Sequence, residues 1–351
     1  MDKVKELINT LKNDHRLDKE DYVFLFENRN KETDEYLFRL ADEVRKENFG
    51  TDVYVRGLIE FTNVCRNDCY YCGIRAGNTN CERYRLNERE ILECCRDGYE
   101  LGFRTFVLQG GEDGGYDEDD IAHIVMRIRD TFPDCAITLS IGEWERKSYQ
   151  RFFDAGADRY LLRHETANKA HYEKLHPETM SFEHRMKCLQ DLKEIGYQVG
   201  CGFMVGSPGQ TNETLADDMV FIQDFKPHMV GIGPFIPHKD TPFANEEAGT
   251  MELTLFCLGL IRLILPYGLI PSTTALGTIS PVGREMGIKS GANVVMPNLS
   301  PVKNRKKYEL YDNKICTGEE AAECRGCLSN RMNSIGYQIV TSRGDSPLMT
   351  K

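Results

Sequence analysis

The sequence predicts an α/β chain folded as a (βα)8 TIM-type barrel, with an N-terminal helical extension and a C-terminal extension. Three observations carry this. Short runs rich in Val, Ile, Phe and Leu alternate with longer runs whose apolar residues recur at helical spacing. The helical runs close on glycine, as helices commonly do. The alternation occupies about 250 residues, the span that eight strand–helix units need. A doubly wound open sheet has the same alternation and is the alternative.

Residues 1–50 read as helices, from the amphipathic "MDKVKELINTLKND" to "TDEYLFRLADEVRKENFG", which stops at Gly50. Residues 51–300 hold the barrel. Its candidate strands are 53–61, 104–110, 136–142, 159–165, 198–206, 229–236, 270–276 and 292–298. Between them lie helical segments such as "NEREILECCRDGYELG", "SFEHRMKCLQDLKEIG" and "ELTLFCLGLIRLILPYG". Residues 301–351 leave the rhythm and carry cysteines of their own.

Composition narrows the function classes. The 351 residues are 40% hydrophobic and 28% charged, a globular balance, with a formal charge of −11 that argues against nucleic acid as partner. The basic "NRKK" at 304–307 reads as a solvated turn. No apolar run reaches the roughly 20 residues of a membrane helix, and no signal-peptide core precedes the first helix. These features predict a cytoplasmic protein without a membrane partner. In a reducing compartment, thirteen cysteines suggest metal ligands where they cluster. Cys81, Cys94, Cys95, Cys135, Cys188, Cys201 and Cys257 lie outside tight clusters and read mostly as small apolar fillers.

The densest cluster is "FTNVCRNDCYYCGI", where Cys65, Cys69 and Cys72 follow C-x3-C-x2-C directly after the first strand. Barrel active sites lie at the C-terminal ends of strands, which is where this loop falls. Iron–sulfur cubanes are held by thiolates and normally take four; three leave one iron open. Zinc is the competing reading, but structural zinc is usually closed by four protein ligands. The nearest fourth candidate, Cys81, is nine residues on.

Other strand ends add polar groups. The second strand runs into "LQGGED", whose Gly110 and Gly111 permit close backbone approach; an ordinary βα turn would look the same. In "RYLLRHETAN", alternation puts Arg159, Leu161, Arg163 and Glu165 on one face. Charges on a strand covered on both sides are costly unless paired or used, so this face predicts a polar ligand site in the lumen. A charge-paired strand cap is the alternative. Thr138 and Ser140 share a parity on the third strand.

"CRNDCYYC", with Tyr71 before the last cysteine, resembles the signature of the radical S-adenosylmethionine (SAM) superfamily. The resemblance implies a 4Fe-4S cluster on Cys65, Cys69 and Cys72 whose open iron is chelated by SAM. Reductive cleavage of SAM would then give a 5′-deoxyadenosyl radical. Longer stretches, "RYLLRHETAN", "MVGSPGQT", "MVGIGPFIPHKDTPFANE", "TTALGTI", "GREMGIKSGANVVMPN" and "YELYDNKIC", resemble the HydE branch of iron–iron hydrogenase maturases, from about residue 10 to 335. Biotin synthase and methylornithine synthase share the barrel and first motif and are the enzymatic alternatives; a non-catalytic iron–sulfur scaffold is the alternative from another class.

Matched residue by residue, the resemblance implies SAM contacts at Tyr71, Gln109, Gly110, Gly111, Glu112, Ser140, Glu165 and Arg185. It implies an anion or substrate lining of Thr138, Arg159, Arg163, Met229, Thr273, Thr274, Tyr308 and Tyr311. Cys316, Cys324 and Cys327, in "CTGEEAAECRGC", resemble the accessory iron–sulfur site of some HydE proteins, a 2Fe-2S or 4Fe-4S cluster. The implied function is assembly of the hydrogenase di-iron subsite and its dithiolate bridge, by a radical acting at sulfur of an iron-bound cysteine. The implied partners are that small organometallic substrate, the other maturases and a low-potential electron donor, in an anaerobe.

Overall fold

The computed structural model describes residues 3–318 and 321–349. Its strands are β1 (Asp52–Val55), β2 (Gly57–Thr62), β3 (Thr105–Gly110), β4 (Ala136–Ser140), β5 (Arg159–Leu161), β6 (Gln198–Cys201), β7 (Met204–Val205), β8 (Met229–Val230), β9 (Gly233–Pro234), β10 (Val294–Val295) and β11 (Gln338–Val340). The helices begin with α1 (Lys3–Asp14), α2 (Lys19–Asn28), α3 (Lys31–Phe49), α4 (Glu88–Glu100), α5 (Glu118–Thr131) and α6 (Arg146–Asp154). They continue with α7 (Lys169–Leu175), α8 (Phe182–Ile195), α9 (Asn212–Phe225), α10 (Met251–Ile264), α11 (Thr274–Ile279), α12 (Gly283–Lys289), α13 (Val302–Arg305) and α14 (Ala321–Ser334).

Parallel pairing runs from β2 through β3, β4, β5 and β6 to β8. The circuit continues through single parallel bridges, Met229 to Leu269 and Pro271 to Val294, and returns by β10 to β1. Leu58 pairs with Asn298 to join β2 as well. Pairing thus passes through eight wall positions and comes back to its start. The seventh position differs from expectation. Instead of a strand over 270–276 it offers only bridge residues, and α11 begins at Thr274. Pro271 has no N–H with which to extend a ladder.

The expected strands 198–206 and 229–236 are each broken in the middle, at Gly202 and Gly231, leaving β7 and β9 to pair with each other. The break has a steric cause. Gly202 has φ +155° and a Cβ there would overlap the Gly231 carbonyl, so the two strands approach at glycine alone.

Helix α3 starts on a reciprocal capping box between Asn30 and Thr33 and ends at Gly50 with φ +58°. Its apolar residues, Leu37, Leu40 and Val44 among them, bury against α10, while α2 packs on α9. The N-terminal helices therefore coat one side of the barrel. Leu161, Met229, Leu269 and Val294 fill the lower lumen together with Phe49.

The C-terminal extension closes both ends of the barrel. Above, residues 307–314 cross the mouth. The Gly73 amide donates to Leu310 O (2.9 Å), and the Asp312 amide donates to Pro237 O (3.2 Å). Below, β11 adds in parallel to the free side of β1. The segment after it passes under β3, β5 and β6, where Thr105 donates to Arg343 O and Gln198 donates to Asp345.

Candidate functional site

The cysteine loop leaves β2 at the barrel's C-terminal face and is stapled from several sides. Arg83 donates to the carbonyls of Asn63, Ile74, Arg75 and Asn78, fixing the loop's curvature with one guanidinium. The Arg66 amide donates to Glu112 O (2.9 Å), the Tyr70 amide to Leu175 O (3.0 Å), and Asp68 pairs with Arg75. Gly111 lets the second strand's turn press on the loop: a Cβ there would overlap Val64 O and lie 2.7 Å from Cys65 Cβ.

Burial raises the three thiols, Cys72 up to about 12, so unligated cysteines in this loop are held protonated. Among the described residues, only Glu143, His184 and Cys188 bring three ligand atoms within 4.8 Å of one another. The loop thiols are spread more widely than a single zinc ion would hold them, since Zn–S bonds of about 2.3 Å put tetrahedral thiolates under 4 Å apart. A cubane, whose ligands sit on separate irons, fits the wider spread.

Register aligns the strand ends around this loop. Glu60 pairs with Gln109, and Gln109 with Ser140, forming one polar row at the C-terminal end of β2, β3 and β4. Glu165 follows β5 in the left-handed region, φ +65°. For a non-glycine residue this costs of order 1 kcal/mol, and such strain concentrates at functional sites. The conformation is held by hydrogen bonds. The Glu165 amide donates to Gly202 O (3.0 Å), and His164 Nδ1 accepts from the Gly202 amide (3.2 Å) while Nε2 faces Asp218.

Arg185 donates through Nε to Glu143 and through Nη1 to Arg163 O (2.7 Å). Glu112, expected among the cofactor contacts, commits its carboxylate to Arg66 and the Glu143 amide. It braces the loop.

Around this row, several buried polar atoms have no hydrogen-bond partner among the described residues, including Thr138 Oγ1, Arg163 Nε and Nη2, Glu165 Oε2 and Thr273 Oγ1. Orphans of this kind are rare and each normally has a cause. Those named belong to residues of the sequence-derived cofactor and substrate set, while others, such as Arg56 Nε, Asp218 Oδ2 and Asn304 Oδ1, lie outside it. Tyr308 accepts from Gln109 (3.3 Å), bringing a residue of each set together, and Tyr311 bonds Thr278, its phenol raised to about 12 by burial. Met229 accepts from Arg56 Nη1 (2.8 Å). Thr274 accepts from Arg284 (3.3 Å), whose same Nη2 lies 3.5 Å from Cys316 Sγ. Cys324 and Cys327 lie on α14, the first buried and the second exposed.

Arg159 corrects the sequence reading. It shares the lumen-facing parity but stands at the opposite end of the strand, at the floor. There its guanidinium is committed to Asp345 (2.6 Å), Arg343 O (2.6 Å), Thr105 (3.1 Å) and Gln198 (3.3 Å). It pairs with the floor segment and is not available as an anion contact.

Sequence reasoning missed three charges. Arg56 and Glu60 are almost wholly buried, and Glu60 is paired with Lys314 from the mouth segment and with Asn298 (2.7 Å). A signal was present. Arg56 and Glu60 stand four apart in "VYVRGLIEF", the same-parity pattern of charges that singled out Arg163 and Glu165.

Residues 59–222 match the model of the Radical SAM superfamily. The chain is 50% identical over 302 residues to the [FeFe] hydrogenase maturase subunit HydE of Thermotoga maritima, covering 86% of each chain. It is 29% identical to a 3-methylornithine synthase of Methanosarcina acetivorans, covering 78% of each. Among solved structures, methylornithine synthase (PylB) superposes with a TM-score of 0.85 at 26% identity, covering 95% of this chain and 97% of that one.

Proposed function

Since the chain belongs to the radical SAM superfamily and, within it, to the HydE family of [FeFe] hydrogenase maturases, we propose how its residues divide the work. Cys65, Cys69 and Cys72 hold a 4Fe-4S cluster. Glu165, Arg185, Gln109, Ser140 and the Gly110–Gly111 turn hold SAM, Glu165 and Arg185 at its ribose and methionine portions, with Tyr71 near its adenine. The cluster and SAM together supply, when bound and reduced, a carbon-centred radical. No side chain is then required as acid, base or nucleophile.

The observation that carries this reading is the set of orphaned buried atoms between the cysteine loop and the lumen. Arg163, Thr138 and Thr273 offer a guanidinium and two hydroxyls to a small anionic ligand, and a guanidinium suits a weakly hydrated anion. The strap over 307–314 shields the chamber from water, which protects a radical from side reactions. The substrate of this reading is a sulfur-containing iron–cysteine complex on the route to the dithiolate bridge. Its partners are the other maturases and a low-potential electron donor. Cys316, Cys324 and Cys327 carry a second iron–sulfur cluster that is accessory to the chemistry.

The test is anaerobic reconstitution followed by SAM and dithionite. Wild-type protein should release 5′-deoxyadenosine, and replacing Cys65, Cys69 and Cys72 with Ala should abolish it. Persistent release by that variant would sink the cluster assignment. Failure of the wild-type protein to support [FeFe] hydrogenase maturation in vitro, with the other maturases present, would overturn the substrate reading.

A further inference from the structure

Helix α7 lies directly against the cysteine loop, and one residue on it has a polar atom that nothing among the described residues satisfies. Tyr172 is fully buried, and its hydroxyl has no hydrogen-bond partner. Its ring is fixed. It stacks on His176 one turn later at 4.0 Å between centroids and meets Phe182 edge-on at 5.7 Å.

His176 is fixed in turn. Its Nδ1 lies 2.9 Å from the Tyr172 carbonyl, which can only accept, so Nδ1 carries the proton. Nε2 therefore accepts from the Tyr71 hydroxyl at 3.1 Å. Burial, with Arg185 nearby, pulls the imidazole down to about 3, consistent with this neutral form. The pair thus locks Tyr71, the residue between Cys69 and Cys72, to α7.

Burial raises the Tyr172 phenol most, with smaller influences from Arg185, Glu143, Cys69 and Glu165. Glu143 is already paired with Arg185. These groups include a cluster thiol, the strained Glu165 and the guanidinium assigned to SAM, and the Tyr172 ring stacks on the His176 that holds Tyr71, the residue between Cys69 and Cys72. An unsatisfied buried hydroxyl costs about 1–3 kcal/mol, a cost that a bound acceptor would remove.

We propose that Tyr172 is a SAM-binding residue whose hydroxyl donates to the same methionine carboxylate that Arg185 holds. No residue of the three-cysteine motif or of the glycine turn supplies this contact. The proposal rests on the cofactor placement given above. It adds to that placement a neutral donor beside the cationic one, fixed by stacking before the ligand arrives.

The test is Tyr172→Phe in the anaerobically reconstituted full chain, which keeps the ring and its stacking. SAM affinity by equilibrium dialysis should fall roughly 10- to 100-fold, the loss expected for a hydrogen bond to a charged group. Affinity for 5′-methylthioadenosine, which lacks the amino-acid portion, should stay within about twofold of wild type. Iron content should be unchanged, and the Tm without SAM should be unchanged or higher, because the variant removes an unsatisfied group. An unchanged SAM affinity would overturn the proposal, and so would an equal loss for the nucleoside. A lower Tm without SAM would show the hydroxyl to be structural. If wild-type protein bound no SAM at all, the cofactor placement and this proposal would fall together; in every other outcome the placement stands.

Discussion

Arg163 Nη2 stands 3.0 Å from Glu165 Oε2, yet neither atom makes a hydrogen bond. The two charges form an ion pair at contact distance whose geometry leaves their hydrogen-bonding capacity unused. Glu165 also sits at φ +65°. Glu165→Gly should relieve that strain but leave Arg163 without its counter-charge, so ligand-free stability should fall by about 1–3 kcal/mol while SAM binding weakens at least tenfold. Urea unfolding and equilibrium dialysis measure the two effects. Unchanged or higher stability would show that Arg163 does not depend on this carboxylate.

Gly111→Ala should empty the cysteine loop without unfolding the barrel. A Cβ there lies 2.7 Å from Cys65 Cβ and overlaps Val64 O, so the loop must move away from the turn. We expect a stability cost of about 1–3 kcal/mol and loss of most loop-bound iron after reconstitution. Iron at the wild-type level would mean that the loop tolerates the displacement.

Replacing Cys316, Cys324 and Cys327 with Ser should remove the iron of the tail site and leave 5′-deoxyadenosine formation within about twofold of wild type. Iron analysis and product assay on the same sample separate the two sites. Loss of SAM cleavage would show that the tail site takes part in it; Arg284, which touches both Cys316 and Thr274, would then be the first residue to examine.

Asp345→Asn should cut the floor's connection to the wall. Burial alone would raise this carboxyl, but hydrogen bonding from Arg343 and the nearby Arg159 charge outweigh it and hold it down at about 2. The ordinary value is near 4. A depressed carboxyl gives stability that is complete above its unfolded pKa and is lost as pH falls through its folded one. Wild type should therefore lose this contribution between about pH 4 and pH 2. The variant should be less stable at pH 7 by roughly 2–4 kcal/mol and lack that part of the acid slope. Equal acid slopes in the two proteins would refute the pairing.

How much the sequence disclosed depended on the distance between cause and effect along the chain. The cysteine loop was legible because its spacing is local. Arg163 and Glu165 were legible because strand parity is a period-2 property that needs no partner. Arg159 has the same parity, but its partner Asp345 lies 186 residues away, and nothing local shows that the tail returns beneath the strand. Tyr172 was invisible for a similar reason: its setting depends on His176 meeting Tyr71 across 105 residues. The seventh strand was overread because the β-branched residues after Pro271 look strand-like, whereas the chain turns there into the short helix α11.

The extension that roofs and floors the barrel also sets an order of assembly. Translation runs from the mouth strap at 307–314 to the floor segment at 338–346, so a nascent chain roofs its chamber before it floors it. Until the later segment emerges, Arg159 lacks its carboxylate, and Arg56 lacks the Gly344 carbonyl that it reaches at 3.5 Å. A chain lacking the later segment would therefore display two arginines short of these partners at the barrel floor, a distinctive surface for a chaperone or protease to recognise.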